Sequence, residues 1–169
     1  MTNQLYLLRH AKAEPWSPLG NDFSRSLSSK GTHYATQVSE WARKTLTPPD
    51  TILCSPAKRT RETLAPLLAY WPQLLAHTDY VDQMYNASLN MLLTLAGDAF
   101  SYSKRLLMVG HNPGIEQMLI NVLRHEQAIS IQHMTAGTFS VIEFPDDFKR
   151  EMSDGSLLHL ISRENFSGN

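Results

Sequence analysis

The sequence predicts an α/β domain, a three-layer sandwich with a mostly parallel central sheet. Three observations predict it. Short apolar runs at Leu5–Leu8, Thr51–Cys54 and Arg105–Val109 each end abruptly in polar residues. Each is followed, directly or after a loop, by apolar residues at helical spacing, and this alternation puts helices on both faces of a largely parallel sheet with the strand C-termini on one rim. The 169 residues suffice for one substantial core and are too few for two comfortable ones. A single domain over 1–163 is therefore expected, with 164–169 as a frayed tail.

The elements follow in order. Leu5-Tyr6-Leu7-Leu8 reads as a buried strand that delivers Arg9 and His10 to its end. Residues 12–28, rich in Pro, Ser, Gly and Asn, read as a long ordered loop, and such loops are often functional. Ser28 or Ser29 caps a first helix in which Tyr34, Val38, Trp41, Ala42 and Leu46 recur toward the Pro48-Pro49 stop. Thr51–Cys54 is a short strand, and Ser55-Pro56 starts a helix with proline at or near its first position. Leu64, Leu67, Leu68 and Trp71 give that helix an apolar face. Leu74–Tyr80 is expected as a third strand, Ala87–Ala96 as a helix and Arg105–Val109 as a strand broken by Gly110-His111-Asn112-Pro113-Gly114. Ile115, Leu119, Ile120 and Leu123 continue as a helix. Gly137–Phe144 and Ser156–Arg163 read as two late strands joined by a polar loop with Pro145, Asp146 and Asp147.

Composition narrows the function classes. At 42% hydrophobic and 18% charged, the chain is an ordinary globular sequence rather than a disordered one. A net charge of -1 supplies no broad attraction to nucleic acid or to anionic membranes, so neither is an expected partner and any anion specificity must come from a local cluster. The lone Cys54 excludes an intramolecular disulfide and a cysteine-rich zinc module, and suits a cytoplasmic location. No signal-peptide pattern and no membrane-spanning apolar segment is present.

The shared rim can bring Arg9, His10, Ser55 to Arg59, and Gly110-His111 together. Lys58, Arg59 and Arg61 crowd the start of a helix, where cations oppose the macrodipole unless an anion sits beside them. Arginine's planar fork matches phosphate oxygens, so Arg9 and Arg59 are read as a phosphoryl clamp. A histidine between such cations is pushed toward its neutral, nucleophilic form, which suits His10 to accept a phosphoryl group. His111 is read as either protonated or a hydrogen-bond donor to an equatorial oxygen, and Asn112 beside it as a further substrate-binding candidate.

Three ordered blocks carry a resemblance: Leu7-Leu8-Arg9-His10-Ala11, Cys54-Ser55-Pro56-Ala57-Lys58-Arg59-Thr60-Arg61-Glu62-Thr63, and Val109-Gly110-His111-Asn112-Pro113-Gly114. Together they resemble the histidine phosphatase superfamily. The short length and the stretch Asp22 to Gly31 are similar to its SixA-like phosphohistidine phosphatases. The resemblance implies a phosphoglycerate-mutase-like fold, His10 as nucleophile, Arg9 and Arg59 as phosphoryl ligands, His111 completing the pocket, and no metal or other cofactor. Ala11 stands where glycine is commonest, a change some SixA-like members share. The segment Val81–Ala87 lacks the pattern of the acidic proton donor found in the larger members, and Asp82 is a poor substitute. A missing general acid, a group that contributes about a hundred- to ten-thousand-fold with a poor leaving group, points to a substrate that leaves easily, such as phosphohistidine in a signalling protein. A small phosphorylated metabolite is the alternative substrate, and a non-catalytic phospho-ligand-binding domain the alternative class.

Other residues read more plainly. His33, His77, His125, His133 and His159 show no metal-ligand spacing. Asp22 and Arg25 form an ion pair that holds the loop, Glu14 is a solvated loop acid, and Trp16, Trp41 and Trp71 pack. Cys54 and Arg59 are one residue too close for a cysteine phosphatase, which makes Cys54 a small buried residue.

Overall fold

The computed structural model describes residues 2–145 and 154–166. Its centre is β1 (Asn3–Arg9), which runs parallel to β4 (Arg105–Gly110) and antiparallel to β5 (Phe139–Phe144). The six-stranded order is β3-β2-β4-β1-β5-β6, with β2 at Thr51–Cys54, β3 at Thr78–Tyr80 and β6 at Ser156–Ile161. β3, β2, β4 and β1 are mutually parallel, while β5 and β6 close the far edge antiparallel.

Both faces of β1 are covered, and side-chain alternation sorts them. Leu5 and Leu7 join a core with Leu53, Leu106 and Met108 under α3 (Leu89–Phe100) and α4 (Gly114–Val122). Tyr6 and Leu8 join a second with Ile52, Cys54, Leu107 and Val109 under α1 (Ser29–Thr45) and α2 (Lys58–Tyr70). Each such leucine, withdrawn fully from water, contributes about 1.5–3 kcal/mol. The Tyr6 hydroxyl avoids the cost of burial by donating to Gln4 Oε1 (2.9 Å) and the Thr47 carbonyl (3.1 Å).

Several boundaries differ from expectation. Pro72 starts a 3-10 turn through His77, and the Leu74 N–H turns back to the Trp71 carbonyl, so only Thr78–Tyr80 remains as strand. Pro56 lies outside α2, whose N-cap is Ala57. Ser88 caps α3 and shifts it to Leu89–Phe100. A short α5 (His125–Ala128) was not anticipated. The described end of the expected frayed tail instead forms a turn, Arg163–Phe166, whose Phe166 ring packs edge-on against Tyr34 at 5.7 Å. Asp146 and Asp147 lie outside the described residues.

The loop 12–28 is tied down rather than loose. Ala13 bridges Leu27, the Glu14 N–H donates to the Ser26 carbonyl, and Glu62 Oε2 accepts from the Leu27 N–H at 2.6 Å. Ser28 closes it: its N–H and Oγ both donate to the Lys12 carbonyl, and its Oγ accepts from the Gly31 N–H. A Cβ at Gly31 would collide with that same carbonyl oxygen. Gly31→Ala is therefore expected to cost about 1–3 kcal/mol by overpacking. Thermal unfolding reads this as a lower Tm, at about 2–4 °C per kcal/mol for a domain of this size, and an unchanged Tm would contradict the close approach.

Candidate active site

The sheet ladder continues one residue past the strands. The His10 N–H donates to the Gly110 carbonyl (3.0 Å), the Ser55 N–H to that of Val109 (2.9 Å) and the Gly137 N–H to that of His10 (2.9 Å). His10, Ser55 and His111 are thereby fixed at one rim, with the two imidazole centroids 5.2 Å apart. The first turn of α2 brings in Arg59, which is 4% exposed, and Arg9 ends β1 beside them. The four residues expected at the site are brought together.

Each ring is held in a defined state. His10 Nδ1 donates to the Ala11 carbonyl (2.7 Å); since a carbonyl only accepts, the hydrogen is on Nδ1 and Nε2 carries the free lone pair. Burial above all, and then Arg59, Arg9 and Arg25 against the opposing Ala11 bond, push its pKa down to about 4. His111 falls to about 3, first through burial, then through Arg59 and His10. The free protein therefore holds His111 neutral rather than protonated. Its Nε2 lies 2.8 Å from Ser55 Oγ. Ser55 Oγ accepts the Ala57 N–H at 3.4 Å and is free to give its own hydrogen to Nε2, an arrangement that puts the imidazole hydrogen on Nδ1.

The guanidinium groups are anchored on one side only. Arg9 Nη1 donates to the Met134 carbonyl (2.6 Å). Arg59 Nη1 and Nη2 donate to the carbonyl (2.8 Å) and carboxylate (2.9 Å) of Asp22. That carboxylate also accepts from Tyr85 Oη (2.7 Å) and Arg25 Nη1 (2.7 Å). These bonds, Tyr85 foremost, hold Asp22 down to about 2 despite partial burial, so it is ionised at neutral pH. The Nε of Arg9, the Nε of Arg59 and the Nδ1 of His111 are buried and have no partner among the described residues.

Other candidates fare differently. The Asn112 amide nitrogen is committed to Glu116 Oε2 (3.2 Å) and the Met134 carbonyl (3.1 Å). Asp82 is exposed at the start of a 3-10 turn, and among the described residues no hydrogen bond joins its carboxylate to the site. Cys54 is buried, with its thiol pushed up to about 12 by that burial, so it is not a thiolate. Asp22 and Arg25 pair as expected. Trp71 is buried as expected, whereas Trp16 is 68% exposed on the loop. Among the described residues no cluster of His, Cys, Asp or Glu suited to a metal ion occurs.

The sequence put Ser55 on the shared rim but assigned no site role to it, nor to Tyr85, Thr63 or Glu116. Ser55 holds His111. Tyr85 stands edge-on to that ring at 5.5 Å and 6.0 Å from the Arg59 guanidinium. Thr63 links the Ala11 N–H (3.0 Å) to the Arg59 carbonyl (2.6 Å), and Glu116 accepts from the Met134 N–H (2.7 Å) behind Arg9. The signal for Tyr85 is its place just past β3, at the C-terminal end of a strand that shares the rim.

Comparison with known proteins bears on the family and the fold. The family model for the histidine phosphatase superfamily (branch 1) matches residues 5–85. An uncharacterised protein of Mycobacterium tuberculosis is 29% identical over 113 residues, 67% of this chain and 68% of its own. A structure assigned as the phosphohistidine phosphatase SixA of Agrobacterium tumefaciens superposes with a TM-score of 0.83 at 26% identity, covering 96% of this chain and 99% of that one. One with the same assignment from Nakamurella multipartitia gives 0.83 at 25%, covering 96% of each. The protein histidine phosphatase SixA complexed with tungstate shares the fold, with a TM-score of 0.80 at 15% identity over 97% of this chain and 99% of that one.

The two depressed histidines make stability depend on pH. Their folded pKa values, about 4 and about 3, lie below the ordinary 6.5, so the unfolded chain binds more protons and stability falls as pH drops from about 6.5 toward them. The slope reaches about 1.4 kcal/mol per pH unit for each ring. Denaturant unfolding between pH 7 and 4.5 should show this decline, and His10→Asn with His111→Asn should flatten it. An equally steep decline in the double variant would assign it to other groups.

Proposed function

The chain belongs to the histidine phosphatase superfamily and is SixA-like within it, and on that premise we propose that this phosphatase removes the phosphoryl group from phosphohistidine in a protein, through a phosphorylated His10. The observation that carries the reading is a set of three buried nitrogens with no partner among the described residues, Arg9 Nε, Arg59 Nε and His111 Nδ1, on residues that share the rim with a neutral histidine whose Nε2 carries the lone pair. Donors that have given up water without finding an acceptor are costly, and a phosphoryl group offers three acceptor oxygens.

In the first step His10 Nε2 forms a bond to phosphorus, and the bond from phosphorus to the substrate's imidazole nitrogen breaks. The electron pair stays on that nitrogen, and a substrate ring already protonated leaves as neutral imidazole. Arg9, Arg59 and His111 stabilise the charge on the equatorial oxygens. In the second step water attacks phosphorus, the bond to Nε2 breaks, and phosphate is released with His10 restored. A serine phosphate would leave as an alkoxide and need a proton. Asp22, the carboxylate bound to Arg59, is ionised and does not supply one.

Phosphate release is to be measured from a phosphohistidine protein and a phosphoserine peptide with wild type and His10→Ala. Release from the first is expected, falling to background in the variant, with the second at least about a hundred-fold slower. Comparable release from the peptide would overturn the leaving-group argument. Release from neither, with inorganic phosphate still bound, would make the chain a phospho-ligand sensor.

Chelators and thiol alkylation should both leave the rate unchanged, because His10 carries the phosphoryl group and Cys54 is buried and protonated. Inhibition by alkylation would return Cys54 to the mechanism.

A further inference from the structure

A cavity of about 310 Å³ is lined by Lys12, Lys30, Tyr34, Thr135, Ala136, Arg163 and Glu164, none of them among the four residues of the site. Lys12 is two residues past His10, and Ala136 adjoins Gly137, whose N–H donates to the His10 carbonyl. Three cations face one carboxylate here, in a chain whose net charge is -1. Lys30 stands in the first turn of α1, a turn with no acidic residue, where a cation opposes the macrodipole unless an anion is near. Tyr34 supplies an independent observation. It is 5% exposed, its ring sits so tightly over Gly137 that a Cβ there would collide with it, and its buried hydroxyl has no partner among the described residues. Burial raises the pKa of that phenol while Arg163 lowers it, so the group remains a hydrogen-bond donor at neutral pH.

We propose that this cavity is a second anion subsite, in which Lys12, Lys30, Arg163 and the Tyr34 hydroxyl receive an acidic side chain of the phosphorylated protein whose phosphohistidine occupies the His10 pocket. The donor set is one of oxyanion ligands, and the bond from the Gly137 N–H to the His10 carbonyl ties its lining segment to the residue at the reacting centre. Its role is to bind and orient the substrate protein and not to move charge in the chemical step. The assignment to a protein substrate rests on the phosphohistidine reading above. The presence of an anion site does not.

Two measurements test it with Lys30→Gln combined with Tyr34→Phe, neither of which touches the four reacting-site residues. In the first, sulfate is titrated while the amide signals of Lys30, Tyr34 and Ala136 are followed by NMR, separately from those of His10 and His111. Saturable shifts in the wild type that are lost in the double variant are expected; shifts confined to His10 and His111 overturn the subsite. In the second, turnover of a phosphohistidine protein is compared with that of p-nitrophenyl phosphate, which is too small to reach both pockets. The double variant should raise KM for the protein about ten-fold with kcat unchanged, and leave p-nitrophenyl phosphate turnover unaltered. An unchanged KM overturns the substrate role. Absence of turnover of both substrates by the wild type, with sulfate still seated at Tyr34, would sink the phosphatase reading and sustain the anion site.

Discussion

The parallel pairing of β1 with β4, Arg9 opposite Gly110, is the constraint on which the rest depends. It continues into the bond from the His10 N–H to the Gly110 carbonyl, and so sets two histidines from distant parts of the chain 5.2 Å apart. A slip of one residue would turn Leu5 and Leu7 toward the face of Tyr6 and Leu8 and swing His10 away from His111. Because both faces of β1 are buried, that slip would disturb two cores at once. The precision of the site is therefore a by-product of packing that has nothing to do with phosphate.

Electrostatics imposes the second constraint. A buried arginine without a counter-ion is expensive, and the loop 12–28 supplies one by laying Asp22 on Arg59. The loop carries a structural charge as well as a covering surface, and Tyr85 from beyond β3 joins it to the sheet. Gly31 and Ser28 matter to the chemistry only through this chain of contacts, since they fix where the loop rejoins α1.

The parts legible in the sequence were those governed by local pattern. Thr51–Cys54 is legible to the residue because a short apolar run ends there at the Ser55-Pro56 turn, and the structure buries all four positions. Arg9, His10, Arg59 and His111 were legible because strand ends share a rim and their residue types fit one chemistry. What escaped depended on long-range contacts. No local rule tells that Asp22 reaches Arg59 as well as Arg25, that Ser55 meets His111, or that Phe166 folds back on Tyr34. The strand expected over Leu74–Tyr80 failed for a local reason: Pro72 starts a turn that consumes most of the segment.

The charge state of the two imidazoles follows from the same arrangement. Burial first, and then the neighbouring arginines, penalise an imidazolium, so in the free protein both rings are neutral. A bound oxyanion would accept hydrogen bonds from N–H groups that otherwise lack a partner. Of the two Nδ1–H groups, that of His111 has no partner among the described residues and is open to such an oxyanion, whereas that of His10 is committed to the Ala11 carbonyl. On the proposed reading, His111 thus donates through Nδ1 while His10 presents its Nε2 lone pair. Two residues of one type are in this way set to opposite tasks by a single hydrogen bond to the main chain.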